Sequence, residues 1–198
     1  MTQAPGLFLD RDGTVNEEVG FLSSPDDLQL IPGSAEAIRQ ANECGFKVFV
    51  ITNQSGVGRG FLTEEQLLRI HETLLTRLAG LNAHIDAIYY CPHHPEAVTE
   101  RYRVACDCRK PGLGMLKKAA EEFGVDLRRS FVVGDRMVDI QSAHNCGATP
   151  ILVLTGYGHE ELELCRERGV EVPHVAPDLR AAMELIKRSV CQDSPAGA

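Results

Sequence analysis

Short apolar runs alternate along the chain with stretches in which apolar residues recur every three or four positions. Continuous apolar runs are typical of buried strands, and the recurring pattern is typical of helices that pack on one side. On this basis we predict strands at 7–9, 46–52, 85–90, 131–133 and 151–154. We predict helices at 34–44, 63–78, 111–123, 139–146, 160–168 and 179–190.

The alternation of strands and helices predicts an α/β fold, a Rossmann-like parallel sheet with helices on both faces. We expect one domain over residues 1–190 and a flexible polar tail at 191–198. In sheets of this kind, ligands bind beyond the carboxyl ends of the strands. Asp10, Thr52 and Asp135 each fall at such an end, so we expect them to border one site.

Composition restricts the possible partners. The chain has 198 residues with 28 acidic and 20 basic side chains, and its formal net charge is −8. This balance argues against nucleic acid, whose phosphates attract basic surfaces, but a divalent cation can still bring a phosphorylated small molecule to an acidic protein.

The sequence has no apolar run long enough to cross a bilayer and no secretory signal at 1–6, which predicts a cytoplasmic protein without a membrane partner.

Two carboxylates follow the first predicted strand, at Asp10 and Asp12. Charges so close together are costly unless a cation lies between them, and a hard oxygen-binding ion such as Mg²⁺ suits them. Asp135 and Asp139 follow a later strand and could complete the coordination. The alternatives are a solvated Asp-Gly turn at the first motif and a helix N-cap at the second.

Two further segments offer groups that suit an anion. Thr52 ends a strand and opens a polar turn that contains glycine, which supplies a hydroxyl and backbone donors. Arg109 and Lys110 lead into a predicted helix N-terminus, where phosphate is favoured. Each signal is weak alone, because polar loops after strands and solvated basic pairs are common.

Three of the seven cysteines lie close to a histidine in sequence. Cys91 and His93 form one pair, Cys106 and Cys108 form another, and together they make a closed donor set for a structural Zn²⁺ within a loop at 91–108. His94 is a rival for His93, and buried free cysteines are the alternative to a metal site.

The order of these motifs resembles the haloacid dehalogenase superfamily, over about residues 6–155 and without room for a cap domain. The resemblance implies that Asp10 is the nucleophile that forms an aspartyl-phosphate and that Asp12 is the general acid and base. It implies that Thr52 and Lys110 bind the transferring phosphoryl group. Mg²⁺ would be bound by Asp10, Asp135 and the backbone carbonyl of Asp12. Asp139 would support the loop by hydrogen bonding.

The stretches at 52–60 and 90–111 further resemble the D-glycero-D-manno-heptose 1,7-bisphosphate phosphatases and the related histidinol-phosphate phosphatase domain. The resemblance implies hydrolysis of the 7-phosphate of a small phosphorylated sugar by a monomer, in the synthesis of nucleotide-activated heptose for lipopolysaccharide core or surface glycans. The anomer, α or β, stays open. The residues expected to bind substrate are Asp10, Arg11, Asp12, Val19, Gly20, Phe21, Thr52, Asn53, Gln54, Ser55, Arg59, Arg109 and Lys110.

A bisphosphate needs a second cationic contact, for which Arg59 and Arg109 are the candidates. A histidinol-phosphate phosphatase stays open, because Glu17 and Glu18 could bind a cationic substrate, although the Gly-Arg-Gly at 58–60 argues against it. The alternative of another class is a non-catalytic sugar-phosphate-binding module stabilised by zinc.

Overall fold

Six parallel strands form one sheet in the order β3-β2-β1-β4-β5-β6 in the computed structural model, which describes residues 3–192. The strands are β1 (Ala4–Leu9), β2 (Lys47–Asn53), β3 (Ala87–Cys91), β4 (Val125–Gly134), β5 (Thr149–Val153) and β6 (Val175–Ala176). The helices are α1 (Ser34–Glu43), α2 (Ser55–Gly58), α3 (Glu64–Ala79), α4 (Gly114–Phe123), α5 (Met137–Cys146), α6 (Gly158–Glu167) and α7 (Leu179–Gln192).

Apolar side chains pack on both faces of the sheet. Successive strand residues point to opposite faces, so Leu7 and Leu9 enter one core while Phe8 enters the other. The first core includes side chains of α1, α3 and α7, and the second includes those of α4 and α5. The predicted α/β fold with helices on both faces is confirmed.

The segments between the first three strands hold only short elements. A 3₁₀ turn at Pro25–Asp27 and α1 connect β1 to β2, and α2 with α3 connect β2 to β3. Within residues 3–192 these connections leave the carboxyl edge of the sheet without an inserted cap. No helix among those residues has the length and hydropathy that a membrane span needs.

Several boundaries differ from the predicted ones for local reasons. β4 begins at Val125, six residues early, because its polar first half pairs with Ala4 and Pro5 at the start of β1. α4 begins at Gly114, not at 111, because a turn in which Gly112 N–H donates to the Arg109 carbonyl (2.7 Å) precedes it. The strand β6 and the helix α2 were not predicted, since each is shorter than a periodic pattern requires.

The chain's carboxyl end also differs in part. Helix α7 continues through Gln192, two residues into the segment predicted to be a flexible tail. The rest of that predicted tail, 193–198, lies outside the described residues.

Candidate active site

Three neighbouring strands bring the predicted site residues together. The order β2-β1-β4 places Thr52 on one side of Asp10 and Asp135 on the other, at the carboxyl edge of the sheet. All three side chains are buried. Asp10 and Thr52 lie on the wall of an open cleft of about 640 Å³. The rule that ligands bind beyond the carboxyl ends of strands (the strand-end rule) thus predicts correctly that these three residues lie close together.

Lys110 is fixed at the floor of this cleft by three oxygens. Its Nζ lies 2.9 Å from Asp10 Oδ1, 2.5 Å from Asp139 Oδ1 and 2.9 Å from the Ile51 carbonyl. Burial alone would lower the pKa of Lys110, but the charges of Asp10 and Asp139 outweigh it and raise that pKa. The lysine is therefore a cation at neutral pH, held in place beside Asp10.

Asn53 clamps the main chain of Lys110. Its Oδ1 accepts a hydrogen bond from Lys110 N–H (3.0 Å), and its Nδ2 donates to the Lys110 carbonyl (3.2 Å). Asn53 borders the cleft, but both ends of its amide are thus engaged by the protein. The clamp joins the end of β2 to the loop that carries Lys110.

The carboxylates of Asp10, Asp135 and Asp139 offer oxygens that all lie within 4.8 Å of one another. Burial and the charges of the other two carboxylates raise the pKa of Asp135. Its Oδ2 accepts a hydrogen bond from Tyr157 N–H (2.9 Å), whereas its Oδ1 is buried without a hydrogen-bond partner. An unsatisfied carboxylate oxygen among like charges is what a divalent cation would stabilise, so the residues fit Mg²⁺.

Two glycines leave space for the Asp135 carboxylate. A Cβ added at Gly13 would lie 2.2 Å from Asp135 Oδ2, and one added at Gly156 would lie 2.3 Å from the same atom. Both glycines also have positive φ, at 79° and 57°. The Thr155 hydroxyl donates to the Gly13 carbonyl and joins the two loops. No residue with a Cβ fits at either position, so both must be glycine.

Asp12 is held as a carboxylate by four donor groups. Arg11 Nη2 lies 2.9 Å and 2.8 Å from its two oxygens, Arg11 Nε lies 3.1 Å from Oδ1, and Asn16 and Gln54 donate from 2.9 Å and 2.8 Å. Burial alone would raise the pKa of Asp12, but the Arg11 charge and these hydrogen bonds lower it. Gln54 Nε2 also donates to Thr52 Oγ1 (2.9 Å), which connects the two side chains.

The other predicted substrate residues fall into two groups. Gly20, Phe21, Ser55, Arg59 and Arg109 border the cleft. Arg11 and Val19 do not: the Arg11 side chain is fully buried, and Val19 is 53% exposed on the outer surface. We therefore expect no substrate contact from the Arg11 side chain.

Arg136 and Tyr157 of the cleft wall were not predicted as site residues. The Arg136 guanidinium lies 4.1 Å from the centre of the Tyr157 ring and 3.6 Å from Glu18, which the sequence did offer as a contact for a cationic substrate. Tyr157 and Gly156 follow β5, so the strand-end rule applied to that strand would have indicated them.

The cysteine cluster assembles beside the cleft. Cys91 Sγ lies 3.1 Å from Cys108 Sγ and 3.6 Å from Cys106 Sγ, while His93 Nδ1 lies 3.3 Å from Cys108 Sγ. The structure brings His93 into the cluster, whereas the His94 ring accepts a hydrogen bond from Glu96 N–H (3.1 Å). Three sulfurs and one imidazole nitrogen within 4.8 Å of one another fit a tetrahedral Zn²⁺.

Comparisons with known proteins agree with this geometry. A family model described as HAD-hydrolase-like matches residues 107–182. The fold also matches the crystal structure of D,D-heptose 1,7-bisphosphate phosphatase from B. bronchiseptica complexed with magnesium and phosphate. The TM-score is 0.81 and the identity 36%, over 93% of this chain and 99% of that one. The chain is thus a hydrolase of the haloacid dehalogenase (HAD) class.

Curated relatives narrow the class to one family. The chain is 45% identical to D-glycero-beta-D-manno-heptose-1,7-bisphosphate 7-phosphatase of Photorhabdus laumondii over 79% of this chain and 84% of the relative. It is 44% identical to the enzyme of the same name from Escherichia coli K12, over 77% of this chain and 80% of the relative. It belongs to the D-glycero-D-manno-heptose 1,7-bisphosphate 7-phosphatase family.

Proposed function

We propose that this protein hydrolyses the 7-phosphate of D-glycero-β-D-manno-heptose 1,7-bisphosphate and leaves the 1-phosphate in place. The observation that carries the proposal is the buried Lys110–Asp10 pair at the floor of the cleft, beside a carboxylate set that fits Mg²⁺. The substrate and its β anomer are those that the names of the curated relatives give. The product would feed the synthesis of nucleotide-activated heptose for lipopolysaccharide core or surface glycans.

Asp10 is the proposed nucleophile. Its Oδ1 is already engaged by Lys110 Nζ and by Arg11 N–H (2.8 Å), which leaves Oδ2 to attack phosphorus. A bond forms between Oδ2 and phosphorus as the bond from phosphorus to the sugar O7 breaks, which gives an aspartyl-phosphate. Lys110 and the Thr52 hydroxyl bind the phosphoryl oxygens, where negative charge must be stabilised.

Asp12 is the proposed general acid and base. It gives a proton to the leaving O7 and later takes one from the water that hydrolyses the aspartyl-phosphate. The low pKa of Asp12 in the free protein suits the second step. The negative charge of a bound phosphate would raise that pKa and so favour the protonated form for the first step.

Mg²⁺ is the proposed catalytic cofactor, held by Asp10, Asp135 and the Asp12 carbonyl. When bound it neutralises charge on the phosphoryl oxygens. We place Asp139 outside the ligand set, because it already pairs with Lys110 at 2.5 Å and accepts a hydrogen bond from Arg136 N–H (3.1 Å).

Zn²⁺ is the proposed structural metal, held by Cys91, His93, Cys106 and Cys108. The loop that these ligands close ends at Arg109 and Lys110, so the metal would fix the segment that delivers both cations to the cleft. Arg109 Nη1 donates to the His93 carbonyl (3.2 Å), which connects the cluster directly to the cleft wall.

Arg59 and Arg109 are the proposed contacts for the phosphate at C1. Both border the cleft, and guanidinium groups bind phosphate through paired donors. The Arg59 guanidinium lies 5.8 Å and 5.4 Å from the ring centres of Phe21 and Phe61, which limits its freedom. A sugar monophosphate would lack the second phosphate that these two arginines would bind.

The test is phosphate release with Mg²⁺ from a panel of both heptose 1,7-bisphosphate anomers, histidinol phosphate and fructose 1,6-bisphosphate. We expect the β anomer to have the highest kcat/KM. Phosphorus NMR should show that the remaining phosphate is at C1. Preference for histidinol phosphate, or a product that keeps the 7-phosphate, would contradict the proposal. Asp10→Asn is the control for contaminating phosphatases.

We further propose that the enzyme is a monomer that acts in the cytoplasm. The six cysteines whose side chains the structure describes form no disulfide, as expected in a reducing compartment. Three of them belong to the cysteine cluster. Light scattering after size exclusion should give a mass near 21.7 kDa. A dimer mass would contradict the monomer.

A further inference from the structure

Arg11 carries a positive charge into the interior between β1 and α3. It is the largest side chain in the described residues that is fully buried. Two of its nitrogens, Nε and Nη2, face the Asp12 carboxylate, and its third, Nη1, lies 3.2 Å from His71 Nε2. His71 belongs to α3 and is 6% exposed. A continuous chain of contacts therefore runs from α3 through Arg11 to Asp12.

The direction of the His71 contact follows from the chemistry of the two groups. A guanidinium can only donate hydrogen bonds, so His71 Nε2 must accept, and the ring proton must be on Nδ1. Burial and the neighbouring Arg11 charge lower the pKa of His71 to about 3, so the imidazole is neutral and able to accept. The Tyr90 ring, with its centre 5.7 Å away, packs beside the imidazole.

We propose that His71 is a positioning residue for Asp12, which orients the Arg11 guanidinium so that it holds the Asp12 carboxylate in place for proton transfer. Asp12 accepts from two nitrogens of one rigid plane, so any tilt of the guanidinium moves the carboxylate. Among the described residues, His71 is the hydrogen-bond partner of the opposite edge of that plane, at Nη1. The inference rests on the proposed role of Asp12.

The leaving group supplies a readout that a merely structural role would not affect. A sugar hydroxyl is a poor leaving group and needs a proton from Asp12, whereas p-nitrophenolate leaves without one. We expect His71→Leu to lower kcat/KM for the heptose bisphosphate about 10-fold more than for p-nitrophenyl phosphate. Equal losses with both substrates would overturn the inference.

Restoring a hydrogen-bond acceptor at position 71 should restore the activity that His71→Leu loses. In His71→Gln, the side-chain oxygen can reach the place of Nε2, and in His71→Asn, the shorter side chain offers its oxygen nearer the place of Nδ1. We expect Gln to recover most of the kcat/KM for the sugar phosphate and Asn to recover little. This pair also tests the inference if His71→Leu does not fold, and equal activities of Gln and Asn would overturn it.

Two further variants separate the possible failures. Ile70→Val changes the buried neighbour of His71 on α3 and should lower Tm with the ratio of the two kcat/KM values unchanged. Asp12→Asn should show the same dependence on the leaving group as His71→Leu, only larger. If Asp12→Asn shows no such dependence, the proposed acid role of Asp12 fails and the inference fails with it. If Asp12→Asn shows it and His71→Leu does not, only the inference fails.

Discussion

The carboxylate site and the cysteine cluster are built in opposite ways. The carboxylate oxygens come from Asp10 and Asp135, at the ends of the adjacent strands β1 and β4, and from Asp139 in the first turn of α5. The sulfur and nitrogen donors come from one loop at 91–108. The first site exists because the whole sheet has formed. The second is local. Its loop is closed by backbone hydrogen bonds such as that from His94 N–H to the Tyr102 carbonyl (3.0 Å) and by the buried side chains of Ala97 and Tyr102, and a metal would join its four donors.

Charge is also balanced differently at the two sites. Lys110 neutralises part of the carboxylate charge even before a cation binds, at 2.9 Å from Asp10 and 2.5 Å from Asp139. In the cluster, burial raises the pKa of Cys91 and no side-chain cation lies among the four donors. We therefore expect the carboxylate site to form without its metal and the close approach of the four cysteine-cluster donors to depend on a metal.

The largest effect should come from the proposed nucleophile. Asp10→Asn should lower kcat on the order of 10⁴-fold or more, because the amide cannot form the aspartyl-phosphate. Steady-state phosphate release measures this, and the Tm should change little because the Lys110 contact to the oxygen can persist. Activity within a factor of ten of wild type would rule out Asp10 as the nucleophile.

Loss of a sulfur ligand should instead act on stability. Cys106→Ser should abolish bound zinc and lower Tm by about 10 °C, since metal binding to a loop of this kind is coupled to folding. Elemental analysis and thermal unfolding measure both. Cys146→Ser, a half-buried cysteine outside the cluster, is the matched control and should keep both zinc and Tm near wild type. Zinc content unchanged in Cys106→Ser would refute the ligand set.

A smaller effect should appear where the two sites meet. Arg109→Ala should raise KM for the heptose bisphosphate about 10-fold, because a hydrogen-bonded charge contact to the C1 phosphate is lost. The KM for a sugar monophosphate should change less than about 2-fold, because that substrate lacks the contact. Arg168→Ala, exposed at the end of α6, should change neither KM. Equal KM changes for both substrates in Arg109→Ala would contradict the assignment.

The smallest effect is a dependence of metal stabilisation on pH. Burial and the neighbouring carboxylates raise the pKa of Asp135 to about 8 from 3.8, so the metal-free folded state holds this proton more tightly than the unfolded chain does. That contribution to the free energy of unfolding is present below pH 3.8 and is lost as pH rises to about 8.

Bound Mg²⁺ would replace the proton at the carboxylates. The rise in Tm on adding Mg²⁺ should therefore be a few degrees larger at pH 8 than at pH 6. Differential scanning calorimetry with and without Mg²⁺ measures it, and Asp135→Asn should remove the difference. A larger rise in Tm on adding Mg²⁺ at pH 6 than at pH 8 would contradict this prediction.

The sequence predicted the carboxyl edge of the sheet well, because the site residues there follow apolar runs. Asp10, Thr52 and Asp135 could be placed by the strand-end rule alone, and the cysteine cluster by its local spacing. Side-chain direction was not predictable in the same way. Arg11 follows Asp10 and was expected to bind substrate, yet its side chain turns inward to Asp12 and His71.

His71 shows why such links escape sequence analysis. It lies on the apolar face of α3 among Leu67, Ile70 and Leu74, where a helical pattern predicts only packing. Its partner is sixty residues away in the chain. Only the packing of α3 against the loop that follows β1 shows that His71 faces the buried Arg11 guanidinium.

The contacts of the loop after β5 bear on when the enzyme becomes active during its synthesis. Thr155 and Tyr157 hold the Gly13 carbonyl and the Asp135 carboxylate, and both are translated long after those residues. A nascent chain that has reached Asp135 carries Asp10, Asp12, Lys110 and Asp135 and still lacks these contacts. Any fragment of the chain that ends before residue 157 therefore lacks part of the site described above.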